Sequence, residues 1–234
     1  MSHNYQHIKV IGFDADDTLW VNETYFREAE LEFAKLMAPY ETANKIDQEL
    51  FKAEIKNLPL YGYGIKGFVL SMVELAVEIS NNQVSNKTIT KILNIGKYML
   101  DAPVELLDGI EDVLKFLSPN YKLIVLTKGD LLDQERKLEK SNLNSYFHHI
   151  EVMSDKQEAN YTKVLQHLDI KPSEFLMIGN SLKSDILPLV NIGAKAIHIP
   201  FHTTWLHEQV TEQETKNKAY KTITSLSELN KILN

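Results

Sequence analysis

The alternation of short apolar runs with amphipathic helical patterns is the feature that most constrains the fold of this chain. Five runs are typical of buried strands, at residues 8–13, 121–126, 149–153, 175–178 and 194–199. Helical spacing of apolar residues occupies the intervals at 109–117, 130–140, 159–168 and 183–190, although Pro188 weakens the last pattern. Such alternation indicates a parallel sheet covered by helices on both faces. We therefore predict an α/β fold with a Rossmann-like parallel sheet core.

One long stretch interrupts this alternation. Between residues 20 and 103 we find only helical patterns, at 24–37, 43–57, 68–79 and 86–100. They predict an α-helical bundle inserted after the first strand. We therefore expect an α/β catalytic core formed by 1–19 and 104–234 and a helical cap domain formed by 20–103. Ligands of such sheets bind beyond the carboxyl ends of the strands, so a cap inserted there is expected to select the substrate.

Three carboxylates, Asp14, Asp16 and Asp17, directly follow the first predicted strand. Two carboxylates about 4 Å apart repel by ~4 kcal/mol at an effective dielectric of 20, and a helix N-cap needs only one of them. A divalent cation would remove the repulsion, and Mg²⁺ prefers carboxylate and phosphate oxygens. One carboxylate could also attack phosphorus while a second, two residues on, exchanges protons with the leaving oxygen and with water. The cluster predicts metal-assisted phosphoryl transfer.

Other polar residues follow the later strands, but each is ambiguous alone. Thr127, Lys128 and Gly129 form a turn whose hydroxyl and backbone amides suit a phosphate group, although Thr and Gly are common in ordinary turns. Lys156 stands in a loop, where a lysine is usually a solvated surface residue. Asp185 follows the fourth strand, where it could begin a helix or bind a metal.

Taken together, the order strand–DxDxT, strand–Thr, loop Lys and strand–GxSxxxD resembles the haloacid dehalogenase superfamily of phosphohydrolases. The resemblance runs from Asp14 to Asp185, and the helical insertion is similar to one of that family's cap types. It implies that Asp14 is the nucleophile and Asp16 the general acid/base. It also implies that Thr127, Lys128, Gly129 and Lys156 bind the phosphate, with Lys163 as the alternative to Lys156.

The resemblance further implies an Mg²⁺ cofactor held by Asp14, the backbone carbonyl of Asp16, and Asp185. Many family members carry Asp directly after the glycine of the last motif, whereas this chain has Asn180. Asn180 lacks that charge but could still bind the metal through its amide oxygen, or orient a ligand. We therefore expect weaker Mg²⁺ binding than in members with Asp at this position.

The expected function is hydrolysis of a small phosphate monoester through an aspartyl-phosphate intermediate. A dehalogenase of the same superfamily would also use Asp14, but those enzymes need no metal and lack a carboxylate two positions later. A phosphomutase keeps the same residues and stays open as an alternative. A phospho-aspartate receiver module is disfavoured because receivers are about half this length and lack the helical insertion.

Charge and composition limit the partners. The net charge of −7 leaves no basic surface of the kind that binds nucleic acid, and no apolar run is long enough to span a membrane. The absence of cysteine excludes disulfides and thiolate metal sites. We expect a cytoplasmic protein that acts on a small phosphorylated metabolite, and the sequence leaves its oligomeric state open.

Two further patterns favour ordinary structural roles. The G-x-G-x-x-G match at 62–67 lacks the preceding strand that a dinucleotide site requires, so a loop opening the next helix is favoured. His198, His202 and His207 gather in a short stretch, but they favour packing and turn contacts over a metal site.

Overall fold

The computed structural model describes residues 5–234, so the first four residues of the predicted core lie outside the described part. The chain forms two compact units. The first comprises Met1–Glu23, Val104–Lys128 and Glu135–Asn234, and the second comprises Thr24–Pro103 and Gly129–Gln134. The division into a core of 1–19 with 104–234 and a cap of 20–103 stays a prediction about domains.

The first unit is built on a six-stranded sheet with the order β3-β2-β1-β4-β5-β6. Its strands are β1 Val10–Phe13, β2 Lys122–Lys128, β3 His149–Met153, β4 Phe175–Gly179, β5 Lys195–His198 and β6 Lys221–Thr222. Each neighbouring pair is parallel. The predicted α/β fold with a parallel sheet is therefore confirmed.

Helices connect these strands and form the second unit. Those after β1 are α1 Glu23–Met37, α2 Ala43–Tyr61, α3 Ile65–Ile79, α4 Asn86–Asp101 and α5 Ile110–Leu117. The later ones are α6 Leu131–Lys140, α7 Glu158–His167, α8 Leu187–Asn191, α9 Glu212–Thr215 and α10 Leu229–Ile232.

Alternate residues of the central strands enter two separate apolar clusters. Ile11 and Phe13 of β1 belong to one cluster, whereas Val10 belongs to the other. In β4, Leu176 and Ile178 belong to the first cluster, whereas the residues that precede them in the strand belong to the second. Because successive side chains of a strand point to opposite faces, this division means that both faces of the sheet are covered. In sheets covered in this way, ligands bind beyond the carboxyl ends of the strands.

The segment after β4 differs from the continuous helix predicted at 183–190. Leu182–Ile186 is a single π-helical turn, and α8 begins only at Leu187. Pro188 lies in the first turn of α8, where its missing N–H removes no helical hydrogen bond. Single π turns within helices are frequent at functional sites. This turn carries Asp185.

The second unit has its own apolar core, formed by residues of α1 to α4 such as Phe33, Leu50, Met72 and Ile92. The helix α2 continues through Pro59 to Tyr61, four residues beyond the predicted end. The G-x-G-x-x-G segment follows this helix rather than a strand. Residues 62–64 form the expected loop, whereas residues 65–67 already belong to α3, which begins three residues earlier than predicted. No helix in the described part of the chain has the length and apolar character needed to cross a bilayer.

Candidate active site

The carboxyl ends of three adjacent strands bring the predicted site residues of the first unit to one edge. In register, Phe13 of β1 lies beside Val125 of β2 and Ile178 of β4. The backbone N–H of Asp14 donates to the carbonyl of Ile178 at 2.9 Å, which fixes Asp14 directly beyond β1. Thr127 lies two positions beyond Val125, still within β2, and is 1% exposed.

Lys156 crosses from the loop after β3 and lies between two carboxylates. Its ammonium contacts Asp14 Oδ1 and lies 2.6 Å from Asp185 Oδ1. Only 2% of Lys156 is exposed, in contrast to the usual solvated position of a loop lysine. Lys163, the sequence-based alternative, lies exposed on α7. The structure therefore brings together Asp14, Lys156 and Asp185, which are far apart in sequence.

This cluster carries uncompensated negative charge. Burial raises the pKa of Asp14 to about 7, and the Asp185 carboxylate adds to that rise while Lys156 opposes it. Burial alone would lower the pKa of Lys156, but the two carboxylates outweigh it and hold that pKa well above its ordinary value. The ammonium therefore stays charged, and one cation faces two buried carboxylates.

Thr18 links Asp14 to Asn180. Its Oγ1 lies 3.2 Å from Asp14 Oδ2 and 3.4 Å from Asn180 Oδ1, so its single proton can serve one oxygen at a time. Thr18 is the threonine of the DxDxT motif, and the sequence alone assigned it no role. Its spacing of four residues from Asp14 was the signal that could have revealed this contact. The amide oxygen of Asn180 is thus directed toward the hydroxyl of Thr18.

The other two carboxylates of the acidic cluster have different partners. Asp16 Oδ1 accepts hydrogen bonds from Trp20 Nε1 at 2.8 Å and from Lys137 Nζ at 3.0 Å. Asp17 Oδ1 instead accepts from the backbone N–H groups of Asn22 and Glu23 at the start of α1. One of the three carboxylates therefore does cap a helix. Nothing in the sequence pointed to Lys137, which lies more than 100 residues away from Asp16.

The remaining predicted phosphate ligands lie at the end of β2, where Lys128 is the last strand residue and Gly129 follows it. Lys128 Nζ donates to Glu208 Oε1 at 2.6 Å and to Ser184 Oγ at 2.9 Å. Gly129 has a φ of 132°, and a Cβ there would lie 2.8 Å from the Nε2 of Gln134, so the turn requires glycine. Phosphate binding by Thr127, Lys128 and Gly129 stays a prediction, and the ammonium of Lys128 already has protein partners.

Asp185 is held by its own turn and closely approached by the strand before it. The backbone N–H of Ser181 donates to Asp185 Oδ2 at 2.9 Å. A Cβ on Gly179 would lie 2.5 Å from the Asp185 carboxyl carbon, so only glycine allows this approach. The glycine of the last motif thus makes room for the carboxylate six residues later.

The donors around Asp14 fit a hard divalent cation. Among residues 5–234, no three His, Asp or Glu side chains are arranged as a metal-binding group. The predicted set, however, uses only the carboxylates of Asp14 and Asp185, with a backbone carbonyl and the amide of Asn180. All are oxygen donors of the kind Mg²⁺ prefers. Burial raises the pKa of Asp14 most and the Asp185 carboxylate raises it further, and a cation would offset the charge of that carboxylate.

His198, the last residue of β5, and the two histidines that follow this strand have structural contacts. His198 Nε2 lies 3.0 Å from the carbonyl of Asn180, and the ring of His207 lies 4.9 Å from that of Trp205, centroid to centroid. The ring of His202 packs against that of Phe201. These contacts support the packing interpretation.

Comparison with known proteins identifies hydrolases, among them phosphatases, as similar to this chain. Residues 8–193 match the family model of haloacid dehalogenase-like hydrolases. A glyceraldehyde 3-phosphate phosphatase from Pyrococcus furiosus is 25% identical over an alignment of 244 positions, which covers 97% of this chain and 94% of that protein. An N-acylneuraminate-9-phosphatase from Mus musculus is 24% identical over 212 residues, which cover 86% and 83%. The crystal structure of a haloacid dehalogenase-like hydrolase from Xanthomonas campestris is 34% identical, with a TM-score of 0.87 over 100% of this chain and 93% of that one.

Proposed function

The chain belongs to the haloacid dehalogenase-like hydrolases, and we propose that it is a Mg²⁺-dependent phosphatase that cleaves a small phosphate monoester through an aspartyl-phosphate on Asp14. One observation carries the proposal. Asp14 is buried beyond the central strand, in contact with the ammonium of Lys156, while Asp16 supplies a second carboxylate two residues later. A nucleophilic carboxylate, a fixed cation and a proton-transfer group are the parts that this reaction needs.

In the first step, an oxygen of Asp14 attacks phosphorus and the ester oxygen leaves. Asp16 gives its proton to that leaving oxygen, so the alcohol departs neutral. Lys156 keeps its positive charge beside the Asp14 carboxylate and the phosphoryl oxygens throughout. Thr127 binds a phosphoryl oxygen through its hydroxyl, and charge on that oxygen is thereby stabilised.

In the second step, water attacks the phosphorus of the aspartyl-phosphate. Asp16, now a carboxylate, takes the proton of that water, and Asp14 leaves as a carboxylate with inorganic phosphate as the product. The hydrogen bonds from Trp20 Nε1 and Lys137 Nζ hold Asp16 Oδ1 in a fixed orientation during both transfers.

Mg²⁺ would be held by Asp14, Asp185, Asn180 and the backbone carbonyl of Asp16, and it would offset the negative charge gathered around phosphorus. Thr18 supports this set because its hydroxyl lies within reach of both Asp14 and Asn180. The single charge lost at Asn180 predicts that half-saturation needs about tenfold more Mg²⁺ than it would with an aspartate at this position.

The names of two relatives support a phosphorylated metabolite as the substrate. One relative acts on glyceraldehyde 3-phosphate and the other on an N-acylneuraminate 9-phosphate. At 25% and 24% identity, neither name assigns the substrate of this chain. Both compounds are therefore the first two members of the test panel, together with 4-nitrophenyl phosphate as a generic ester.

The test measures release of inorganic phosphate from this panel with and without Mg²⁺, for the wild type, Asp14→Asn and Asp112→Asn. Asp112 is exposed on α5 and serves as the matched control. We expect turnover by the wild type and Asp112→Asn that requires Mg²⁺, and none by Asp14→Asn. Equal turnover by Asp14→Asn would contradict the proposal.

Two further assays distinguish the alternatives. Halide release from a 2-haloacid, with no phosphate release from any ester, would favour a dehalogenase. Conversion of a sugar phosphate to its positional isomer without free phosphate would favour a phosphomutase. Asp16 argues against the dehalogenase, because it supplies the proton transfer that hydrolysis of the intermediate requires. A phosphomutase would keep the same residue, so the isomer assay decides that alternative.

A further inference from the structure

Glu208 is a partly buried carboxylate that the proposed reaction does not use. It lies in a short helical turn, Leu206–Glu208, between β5 and α9, and 13% of its side chain is exposed. Its Oε2 accepts hydrogen bonds from Ser181 Oγ and Ser184 Oγ, each at 2.5 Å, and its Oε1 accepts from Lys128 Nζ at 2.6 Å. One carboxylate therefore joins the ends of two strands.

Both segments that Glu208 joins carry proposed site residues. Lys128 directly follows Thr127 at the end of β2. Ser181 and Ser184 belong to the turn of Asp185, and the backbone N–H of Ser181 donates to the Asp185 carboxylate. A second contact ties the same parts together, since Lys183 Nζ donates to the carbonyl of His207 at 2.6 Å. Glu208 thus binds Ser184, the sequence neighbour of Asp185, and Lys128, the sequence neighbour of Thr127.

The donor and acceptor directions of the hydrogen bonds around Glu208 require a group that only accepts, and a carboxylate is such a group. The Ser181 hydroxyl accepts from the backbone N–H of Ser184 and donates to Glu208. The Ser184 hydroxyl accepts from Lys128 Nζ and likewise donates to Glu208. An ionised carboxylate only accepts, so it fixes the direction of every bond in both chains. A neutral amide would turn one of these acceptors into a donor facing another donor.

The charge state agrees with this role. Burial alone would raise the pKa of Glu208, but the Lys128 ammonium and the hydrogen bonds from Lys128, Ser181 and Ser184 outweigh burial and lower it to about 2. The group is thus a carboxylate at any pH at which an enzyme of this kind would work. Replacing such an ion pair with apolar side chains is often neutral for stability, so stability alone does not require Glu208 here, although removing Glu208 alone leaves Lys128 uncompensated.

We propose that Glu208 is a positioning residue that fixes the Asp185 turn and the end of β2 relative to each other, and thereby sets the affinity for Mg²⁺. The inference rests on the proposed function, because it takes Asp185 as a metal ligand and Thr127 as a phosphate ligand. Mutation of residues that orient metal ligands typically reduces metal affinity or activity by about 10- to 100-fold.

The test is Mg²⁺ binding by isothermal titration calorimetry to the full chain without substrate. It compares the wild type, Glu208→Gln and the control Glu212→Gln, whose side chain lies exposed four residues later on α9. We expect Glu208→Gln to raise the Kd for Mg²⁺ by about 10- to 100-fold and Glu212→Gln to leave it unchanged. The Mg²⁺ concentration that half-saturates hydrolysis of 4-nitrophenyl phosphate should rise by the same factor, and excess Mg²⁺ should restore turnover.

A purely structural role would give a different result. It would lower the fraction of folded protein, seen as a reduced stoichiometry and melting temperature, without changing the Kd. If Glu208→Gln fails to fold, Lys128→Met combined with Glu208→Gln removes both buried charges at once and carries the same binding measurement. An unchanged Kd in the folded variant overturns the positioning role.

The outcome also separates this inference from the proposed function. A wild type that binds Mg²⁺ but hydrolyses no phosphate ester would overturn the proposed phosphatase activity, while the calorimetric comparison would still decide the role of Glu208. A wild-type phosphatase whose Glu208→Gln variant binds Mg²⁺ equally well would overturn the positioning role alone. A wild type without Mg²⁺ binding would overturn both.

Discussion

Replacing Lys156 with methionine removes the one ammonium that contacts both Asp14 and Asp185. The two carboxylate oxygens bond to the same nitrogen, so they lie no more than about 5 Å apart. Without the cation they repel by ~3 kcal/mol at an effective dielectric of 20. Removing one member of a buried ionic group typically costs about 3–5 kcal/mol, because the remaining charges stay buried without compensation. We expect Lys156→Met to lower the free energy of unfolding by that amount.

The assay is urea unfolding followed by circular dichroism at pH 8, with and without Mg²⁺. The matched control is Lys163→Met, because Lys163 is exposed on α7 and should change stability by no more than about 0.5 kcal/mol. Mg²⁺ should recover part of the loss in Lys156→Met, since a bound divalent cation compensates the same two carboxylates.

Lowering the pH should also reduce the deficit. Loss of the ammonium raises the folded-state pKa of Asp14 further, and burial with the Asp185 charge already raises it to about 7 in the wild type. A group whose pKa is raised on folding stabilises the folded state at low pH, and that contribution is lost as the pH rises through the folded-state pKa. Lys156→Met should therefore gain stability from pH 8 to pH 5 relative to the wild type. Equal stability of Lys156→Met and Lys163→Met under all these conditions would refute the reasoning.

Three further substitutions have predictable effects. Gly179→Ala would place a Cβ 2.5 Å from the Asp185 carboxyl carbon. We expect urea unfolding to show a free energy of unfolding lower by about 1–3 kcal/mol, and a decrease of under roughly 0.3 kcal/mol would contradict the close approach. Asn180→Asp adds a negative charge beside the proposed Mg²⁺ ligands and should lower the half-saturating Mg²⁺ concentration by about tenfold, or roughly 1.4 kcal/mol; a higher concentration would argue against Asn180 as a ligand. The pKa of Glu208 is lowered to about 2 from the ordinary 4.5, so its ionised form should contribute about 3 kcal/mol to the free energy of unfolding. This contribution is present above pH 4.5 and is lost as the pH falls toward 2. It is measured as the difference in unfolding free energy between the wild type and Glu208→Gln. A difference that does not shrink in acid would contradict that ion pair.

The parallel sheet could be predicted because local patterns encode it. Each central strand is a short apolar run, and burial on both faces is what such a run requires. Asp14 and Asp185 could be singled out for the same reason, because each follows one of these runs. The π turn at Leu182–Ile186 could not be predicted, since its apolar spacing is close to that of an ordinary helix.

Contacts between distant segments explain what sequence reasoning missed. Glu208 and Lys128 are 80 residues apart, and no periodicity or motif links them. The burial of Lys156 likewise depends on Asp14, which is 142 residues away. A lone loop lysine is typical of a solvated surface, and only the family resemblance suggested another role. Asp17 shows the reverse case, because a carboxylate in a catalytic-looking cluster caps a helix.

Chemical trapping of the intermediate tests the central claim most directly. Borohydride reduces an acyl phosphate to an alcohol, so reduction during turnover should convert a phosphorylated Asp14 to homoserine, which peptide mass spectrometry can locate. We predict homoserine at position 14 only when both the phosphate ester and Mg²⁺ are present. Homoserine at another aspartate, or at none while the ester is being hydrolysed, would contradict Asp14 as the nucleophile.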